Sequence, residues 1–131
     1  CKPKAVLNGI YPMVGWKLKN EEAVFILEGG SHDSGAVINW AQSIDLFKKP
    51  DQTQSLAESV ADSNGLYFVP AFSGLQAPYN DPSAVCSIIG INATTNKAHI
   101  TRAILEALAF RILEVIEVIS KIVKLELKTF R

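Results

Sequence analysis

Residues 67–84 read YFVPAFSGLQAPYNDPSA. Tyr67, Phe68 and Val69 are aromatic and branched residues of the kind that fit a pleated, half-buried surface, so the stretch begins as a strand. Pro70 cannot donate to a ladder and ends it. Three prolines, Pro70, Pro78 and Pro82, then fix φ and withhold donors, while Gly74 permits a conformation that other residues resist. Asp81-Pro82 is a turn dipeptide. The apolar run VCSIIGI, residues 85–91, follows as a second strand that Gly90 interrupts. A loop so constrained reads as a rigid connection between two strands. Its polar atoms and flanking aromatics also admit a substrate contact, but its turn chemistry is fully explained by backbone scaffolding.

Upstream, DQTQSLAESVADSNG (51–65) reads as a short polar helix closed by Asn64-Gly65 in a left-handed turn. Before it, Val37, Trp40, Ala41, Ile44 and Phe47 recur at three- and four-residue spacing, the period of one helical face. Ser31 and Asp33 are candidate N-caps for that helix, and Lys48-Lys49-Pro50 is its predicted stop. GIYPMVGWKL (9–18) and EEAVFILEGG (21–30) form a predicted β-hairpin, with Pro12 marking an edge position or a bend in the first strand. Downstream, the segment from Asn96 to Lys124 has neither Gly nor Pro and is predicted to be one long helix. It is apolar on so many sides that burial between layers is expected. KLELKTFR (124–131) alternates and suggests a last strand. Strands interleaved with helices give an α/β layer architecture.

The 131 residues suffice for one domain with a modest core, and 48% apolar against 20% charged places the chain among globular proteins. Thirteen basic and thirteen acidic residues are scattered, which excludes the basic stripe of a nucleic-acid binder. No apolar run reaches the ~20 residues of a membrane helix. Cys1 and Cys86 do not make a disulfide framework and read as reduced thiols of a cytoplasmic protein. Asn92-Ala93-Thr94 fits a glycosylation acceptor, but reads better as a polar turn leading into the long helix. No Ser-His-Asp arrangement, metal-ligand cluster, P-loop or GxGxxG can be assembled from the residues themselves.

The order of residues carries further. PAFSGLQAPY (70–79), the Asp81-Pro82 turn, the strand ending at Gly90 and the helix carrying His99-Ile100, Ala103 and Glu106 resemble the FGGY family of carbohydrate kinases. Within it the glycerol kinases are most similar, and YPMVGW (11–16) resembles a divergent glycerol-kinase-like branch. LEGGSHDSGAVINWAQ (27–42) is similar to the family's helix before the loop, so the likeness covers nearly the whole chain. The resemblance implies the actin-like, ribonuclease-H-like pair of α/β domains, with ATP and substrate in the cleft between them. Residues 1–131 are then expected to be a partial C-terminal domain with a mixed sheet and flanking helices. The chain opens on Cys1-Lys2-Pro3-Lys4 without Met, and the expectation is a piece of a longer product.

The resemblance also implies the chemistry: transfer of the ATP γ-phosphate to a hydroxyl of glycerol or a related polyol or sugar, with Mg²⁺ as partner of the nucleotide. Positioning and charge stabilisation do most of that work, and a carboxylate accepts the hydroxyl proton. That base is expected upstream of Cys1, so no catalytic residue is assigned within the chain. No metal ligand is assigned either. Two residues are assigned to the nucleotide, Gly35 and Asn39. They lie four apart on one helical face, where a Gly in the first turn admits close approach to the backbone and the helix N-terminus favours phosphate. In glycerol kinases the matching Gly contacts the nucleotide, as does a Gln in the place of Asn39. A purely structural reading, with Gly35 relieving crowding and Asn39 a surface polar residue, stands beside the nucleotide one.

Departures from the family pattern are Asn80, where many members carry Trp, and Val85-Cys86, where many carry Arg-Gly. They motivate an alternative, a non-catalytic structural or regulatory relative on the same fold. His32 and His99 lack companions at metal spacing, and Glu106 is read as the i,i+4 partner of Arg102. The chain alone is expected to be inactive and prone to aggregate through its long apolar helix. Expected partners are ATP or ADP and a polyol or sugar, without nucleic acid or membrane, and a homo-oligomer is left open.

Overall fold

A computed structural model describes residues 9–123. The predicted hairpin is present: β1 (Tyr11–Trp16) pairs antiparallel with β2 (Val24–Glu28) in the register Tyr11↔Glu28 to Val14↔Phe25. The register shifts between Val14 and Trp16, so Gly15 forms a bulge. Pro12 faces Leu27 on this two-stranded ribbon, where every strand is an edge and a missing donor is tolerated.

Helix α1 (Ser34–Ser43) buries Val37 and Ala41, one turn apart. It ends sooner than Lys48-Lys49-Pro50 implies. Asp45 adopts a left-handed φ of 60°, Asp45 N–H donates to Gln42 O at 3.0 Å, and Leu46 N–H donates to Ala41 O at 3.1 Å. This pair of bonds is the Schellman arrangement with Asp in the usual place of Gly. Ile44 is consequently half exposed, while Leu46 and Phe47 turn back into the core. Lys48 and Lys49 instead begin α2 (Gln52–Glu58): both backbone amides donate to Gln52 Oε1, at 2.9 and 3.0 Å.

Asn64 and Gly65 carry the left-handed turn, with φ of 54° and 72°. The strand β3 (Tyr67–Val69) follows, and β4 (Ser87–Ile89) returns antiparallel to it, Phe68 opposite Ile88. Gly90 then passes so near the turn that a Cβ on it would lie 2.1 Å from Gly65 O. The strands of the described residues form these two antiparallel pairs; a mixed sheet is not assembled among them.

Helix α3 (Lys97–Val123) is the long helix, within a residue of its predicted bounds. Asn96 starts it by accepting from Ala98 N–H (2.9 Å) and His99 N–H (3.2 Å), and His99 Nδ1 accepts from Asn96 N–H at 3.2 Å. That reciprocal pattern is a capping box with His in the usual place of Glu. Asn92 and Thr94 form a polar turn ahead of it, as read from the sequence. The N-terminal half of α3 packs Ala103, Ile104 and Ala107 against Val37, Ala41, Leu66 and Phe68. Its C-terminal half meets a second core around Ile10, Ala77 and Val115. The other face of α3 is open: Phe110, Ile112 and Leu113 are 56%, 43% and 49% exposed, so the described residues supply a layer on one side only. The suggested strand at 124–131 lies outside the described residues.

Candidate nucleotide-facing helix and its supporting loop

Helix α1 begins at the junction of three elements: the end of β2, the 70–86 loop and the middle of α3. Asp33 occupies the N-cap position, but its side chain caps nothing. It is buried, and its carboxylate accepts instead from Ser73, Oδ2 from the backbone N–H at 3.0 Å and Oδ1 from the hydroxyl at 2.6 Å. The expectation that Asp33 or Ser31 caps α1 through its side chain is therefore corrected: the carboxylate finds its two donors forty residues downstream.

Gly35 and Asn39 are both exposed, one turn apart on the outer face of α1. A Cβ built on Gly35 meets nothing within 4 Å, and its φ is not in the left-handed region. Crowding within the described residues therefore does not explain a glycine here. An open first-turn Gly gives the helix no packing contact in return for its extra backbone freedom.

The loop is rigid in the way its prolines and Gly74 suggest. Leu75 and Asp81 exchange backbone hydrogen bonds of 2.8 and 2.7 Å, and Tyr79 and Asn80 N–H both donate to Gln76 O. Asn80 has a φ of 54°, a left-handed setting that Asn tolerates through its short polar side chain. The Asp81 carboxylate accepts from the Ser83 hydroxyl and amide, which lowers its pKa below the ordinary value. Gly74 lies so close to Asp81 O and Pro82 Cα, 2.7 and 2.8 Å from a hypothetical Cβ, that any side chain would strike backbone.

Two buried polar groups dock this loop. Asp33 holds Ser73 from the α1 side, where His32 N–H also donates to Gln76 Oε1 at 3.1 Å. Arg111, 6% exposed, holds the other side from α3. Its Nη2 donates to Ala77 O at 2.6 Å, its Nη1 pairs with Glu114, and its guanidinium lies 5.4 Å from the Tyr79 ring centroid. Tyr79 O–H completes the circuit by donating to Glu114 at 2.9 Å. That hydrogen bond, and then the Glu114 charge, raise the Tyr79 pKa. Aromatic contact adds to the α1 side, with Phe72 edge-on to Trp40 at 5.6 Å.

Sequence reasoning missed the roles of Ser73 and Arg111. Arg111 had a readable signal, because it continues the buried stripe Ala103, Ala107, Val115 at spacing four. A charged residue on such a stripe needs a partner. Ser73 had none, since a loop serine carries no periodicity. Glu106 is the partner of Arg102, 2.8 Å away, and Arg102 also donates to Val60 O at 3.0 Å near the end of α2. The half-buried Cys86 has its thiol pushed up, by burial first and by the Asp33 charge. Among the described residues no group of three or more His, Cys, Asp or Glu could hold a metal ion. No helix among them is long and apolar enough to cross a membrane.

Residues 2–129 match the FGGY family of carbohydrate kinases, C-terminal domain. Glycerol kinase 5 of Bos taurus is 44% identical over 129 residues, which is 98% of this chain and 24% of that protein. Glycerol kinase of Geobacter sp. (strain M21) is 40% identical over 125 residues, 95% of this chain and 25% of that protein. Among solved structures, Plasmodium falciparum glycerol kinase with ADP superposes with a TM-score of 0.85 at 30% identity, covering 92% of this chain and 24% of that one. A ligand-bound xylulose kinase from Lactobacillus acidophilus gives a TM-score of 0.67 at 25% identity, over 88% of this chain and 23% of that one. The chain thus spans about a quarter of the length of the curated relatives it matches.

Proposed function

We propose, from the premise that the chain belongs to the FGGY family of carbohydrate kinases and corresponds to the family's C-terminal domain, that it supplies one wall of the nucleotide site of an ATP-dependent kinase acting on glycerol or a related polyol. The observation that carries this reading is Gly35: exposed, not in the left-handed region, and facing open space where an alanine would fit without contact. A glycine at such a position leaves the helix backbone bare to a ligand from outside the fold. Asn39, exposed one turn further along, would place its amide beside that same ligand. A solved relative carries ADP in its structure, and the likeness to it covers 92% of the chain.

ATP supplies the transferred phosphoryl group, and Gly35 and Asn39 would hold the nucleotide. Mg²⁺ belongs to the same reading through the reaction class, but the described residues assemble no ligand set for it. The chain's own contribution is positioning: an open helix start for the nucleotide and a rigid loop behind it. Cytoplasmic location, where ATP and free polyols meet, goes with this function.

A second reading, a non-catalytic relative on the same fold, is favoured by one observation. Val85 is 71% exposed beside the half-buried Cys86, so the Arg-Gly pair common in the family is replaced by a site without a charge. Transfer of labelled γ-phosphate from ATP to glycerol by the full-length protein separates the two. Phosphorylation that falls with Asn39→Ala supports the kinase. ATP binding with no transfer to glycerol or any polyol supports the relative. Loss of the Asn39 amide is expected to weaken ATP binding about fivefold, equivalent to ~1 kcal/mol for one hydrogen bond. Gly35→Ala should also weaken ATP binding while leaving the apo protein at least as stable, because its methyl meets nothing but the ligand.

A further inference from the structure

We propose that Asp33 is a positioning residue for the nucleotide site, holding the start of α1 against the 70–86 loop through Ser73; this rests on the nucleotide reading of Gly35 and Asn39. Asp33 is 5% exposed, and each carboxylate oxygen accepts one hydrogen bond from the same residue, 3.0 Å from the Ser73 amide and 2.6 Å from its hydroxyl. A charged acceptor with two donors is strong and specific in direction, here between a buried carboxylate and an exposed loop serine.

An Asp just before a helix ordinarily folds back onto the first amides of that helix. Here it does not, and α1 has no side-chain cap. The Asp33 charge is instead held on the loop, away from the position over the first turn where it would compete with a phosphate. Asp33 O also accepts from Val37 N–H at 2.8 Å, so the residue that grips the loop is itself part of the first helical turn, two residues from Gly35. Phe72, next to Ser73, rests edge-on against Trp40, about two turns along from Asp33. Loop and helix are therefore fastened at two points about two turns apart, on either side of Gly35, and a displacement of Ser73 displaces Gly35. Ligand contacts through a bare backbone are sensitive to shifts of an ångström or less.

The test is calorimetric titration of ADP, and separately of glycerol, into full-length protein carrying Ser73→Ala, Asp33→Asn, Ser73→Thr or Asn39→Ala. Asp33→Asn removes the charge and leaves a single acceptor for the Ser73 amide, with its NH2 turned to the hydroxyl, whereas Ser73→Ala removes only the hydroxyl bond. Each is expected to raise the ADP Kd about tenfold or more, the effect of losing one charge-assisted hydrogen bond. Glycerol affinity should stay within twofold, and Ser73→Thr, which restores a hydroxyl, should keep the wild-type ADP Kd. Equal weakening of ADP and glycerol would mark a general loss of structure and overturn the positioning role. An unchanged ADP Kd in Ser73→Ala and Asp33→Asn, with a raised one in Asn39→Ala, would leave the nucleotide reading standing and remove Asp33 from it. No effect of Asn39→Ala would remove the nucleotide reading, and the proposal with it. Should Asp33→Asn fail to fold, Ser73→Ala decides alone.

Discussion

Replacing Arg111 by Ala should release the 70–86 loop from α3 without unfolding the helix. The substitution removes the 2.6 Å bond to Ala77 O, the ion pair with Glu114 and the guanidinium 5.4 Å from the Tyr79 ring. Ala77 is 2% exposed, so its carbonyl is left without this donor in a place water reaches poorly. A hydrogen bond to a charged group contributes ~1.5–3 kcal/mol. The cation–π contact adds ~0.5–1 kcal/mol, since Tyr79 is itself half exposed. Glu114 is only partly buried and keeps the Tyr79 hydroxyl, so it adds little further cost. The desolvation of the guanidinium, relieved in the variant, offsets part of the sum. A net local loss of about 3 kcal/mol follows. At ~1.36 kcal/mol per decade this is on the order of a hundredfold in the opening equilibrium. The reporters are the amides of Leu75 and Asp81, which bond each other within the loop. Native-state hydrogen exchange of the full-length protein should show both accelerating by that factor, with the Ile104 amide in the middle of α3 unchanged. Arg111→Lys should recover part of the protection, because an ammonium keeps the charge but not the fork. An acceleration below about threefold at Leu75 and Asp81 would refute Arg111 as the residue that docks the loop.

Gly90→Ala places a methyl 2.1 Å from Gly65 O at a φ of +91°, and should destabilise the fold by roughly 3 kcal/mol or more; a melting temperature equal to wild type would contradict it. Tyr79 should titrate above an ordinary tyrosine, and Glu114→Gln should bring it back down, as read by phenolate absorbance. Its raised value means that the neutral hydroxyl contributes stability fully below the ordinary tyrosine range, near ~10, and loses it as pH rises through the folded-state value. Cys86 should react with a thiol-directed reagent more slowly than a free cysteine at the same mildly alkaline pH, since burial disfavours its thiolate; an equal or faster rate would contradict this.

What the sequence showed and what it hid follow from the range of the interactions. The hairpin, the two shorter helices and the long helix from 97 to 123 rest on local periodicity, and all are present. The order of residues in the 70–79 stretch identified the family, which spacing alone did not. The end of α1 was placed too late because a backbone motif with Asp45 in a left-handed turn stops it, and Asp carries a weaker signal there than Gly. In the sequence Asp33 reads as a cap, because capping is the nearest use for its carboxylate. Its partner lies forty residues away, and only the folded chain brings them together. Gly35 is the converse case. Sequence left crowding and ligand approach as rival readings, and the open space beside its backbone removed the first within the described residues. The exposed Phe110, Ile112 and Leu113 had signalled burial by composition, but which layer covers them is not encoded in these residues' own spacing.

The most direct test of the nucleotide-wall reading is hydrogen–deuterium exchange of the full-length protein with and without saturating ADP. The segment 31–41, which holds Asp33, Gly35 and Asn39, should exchange more slowly with ADP bound, and the α2 segment 52–58 should not change. Identical exchange of 31–41 in both states would contradict the assignment of this helix to the nucleotide.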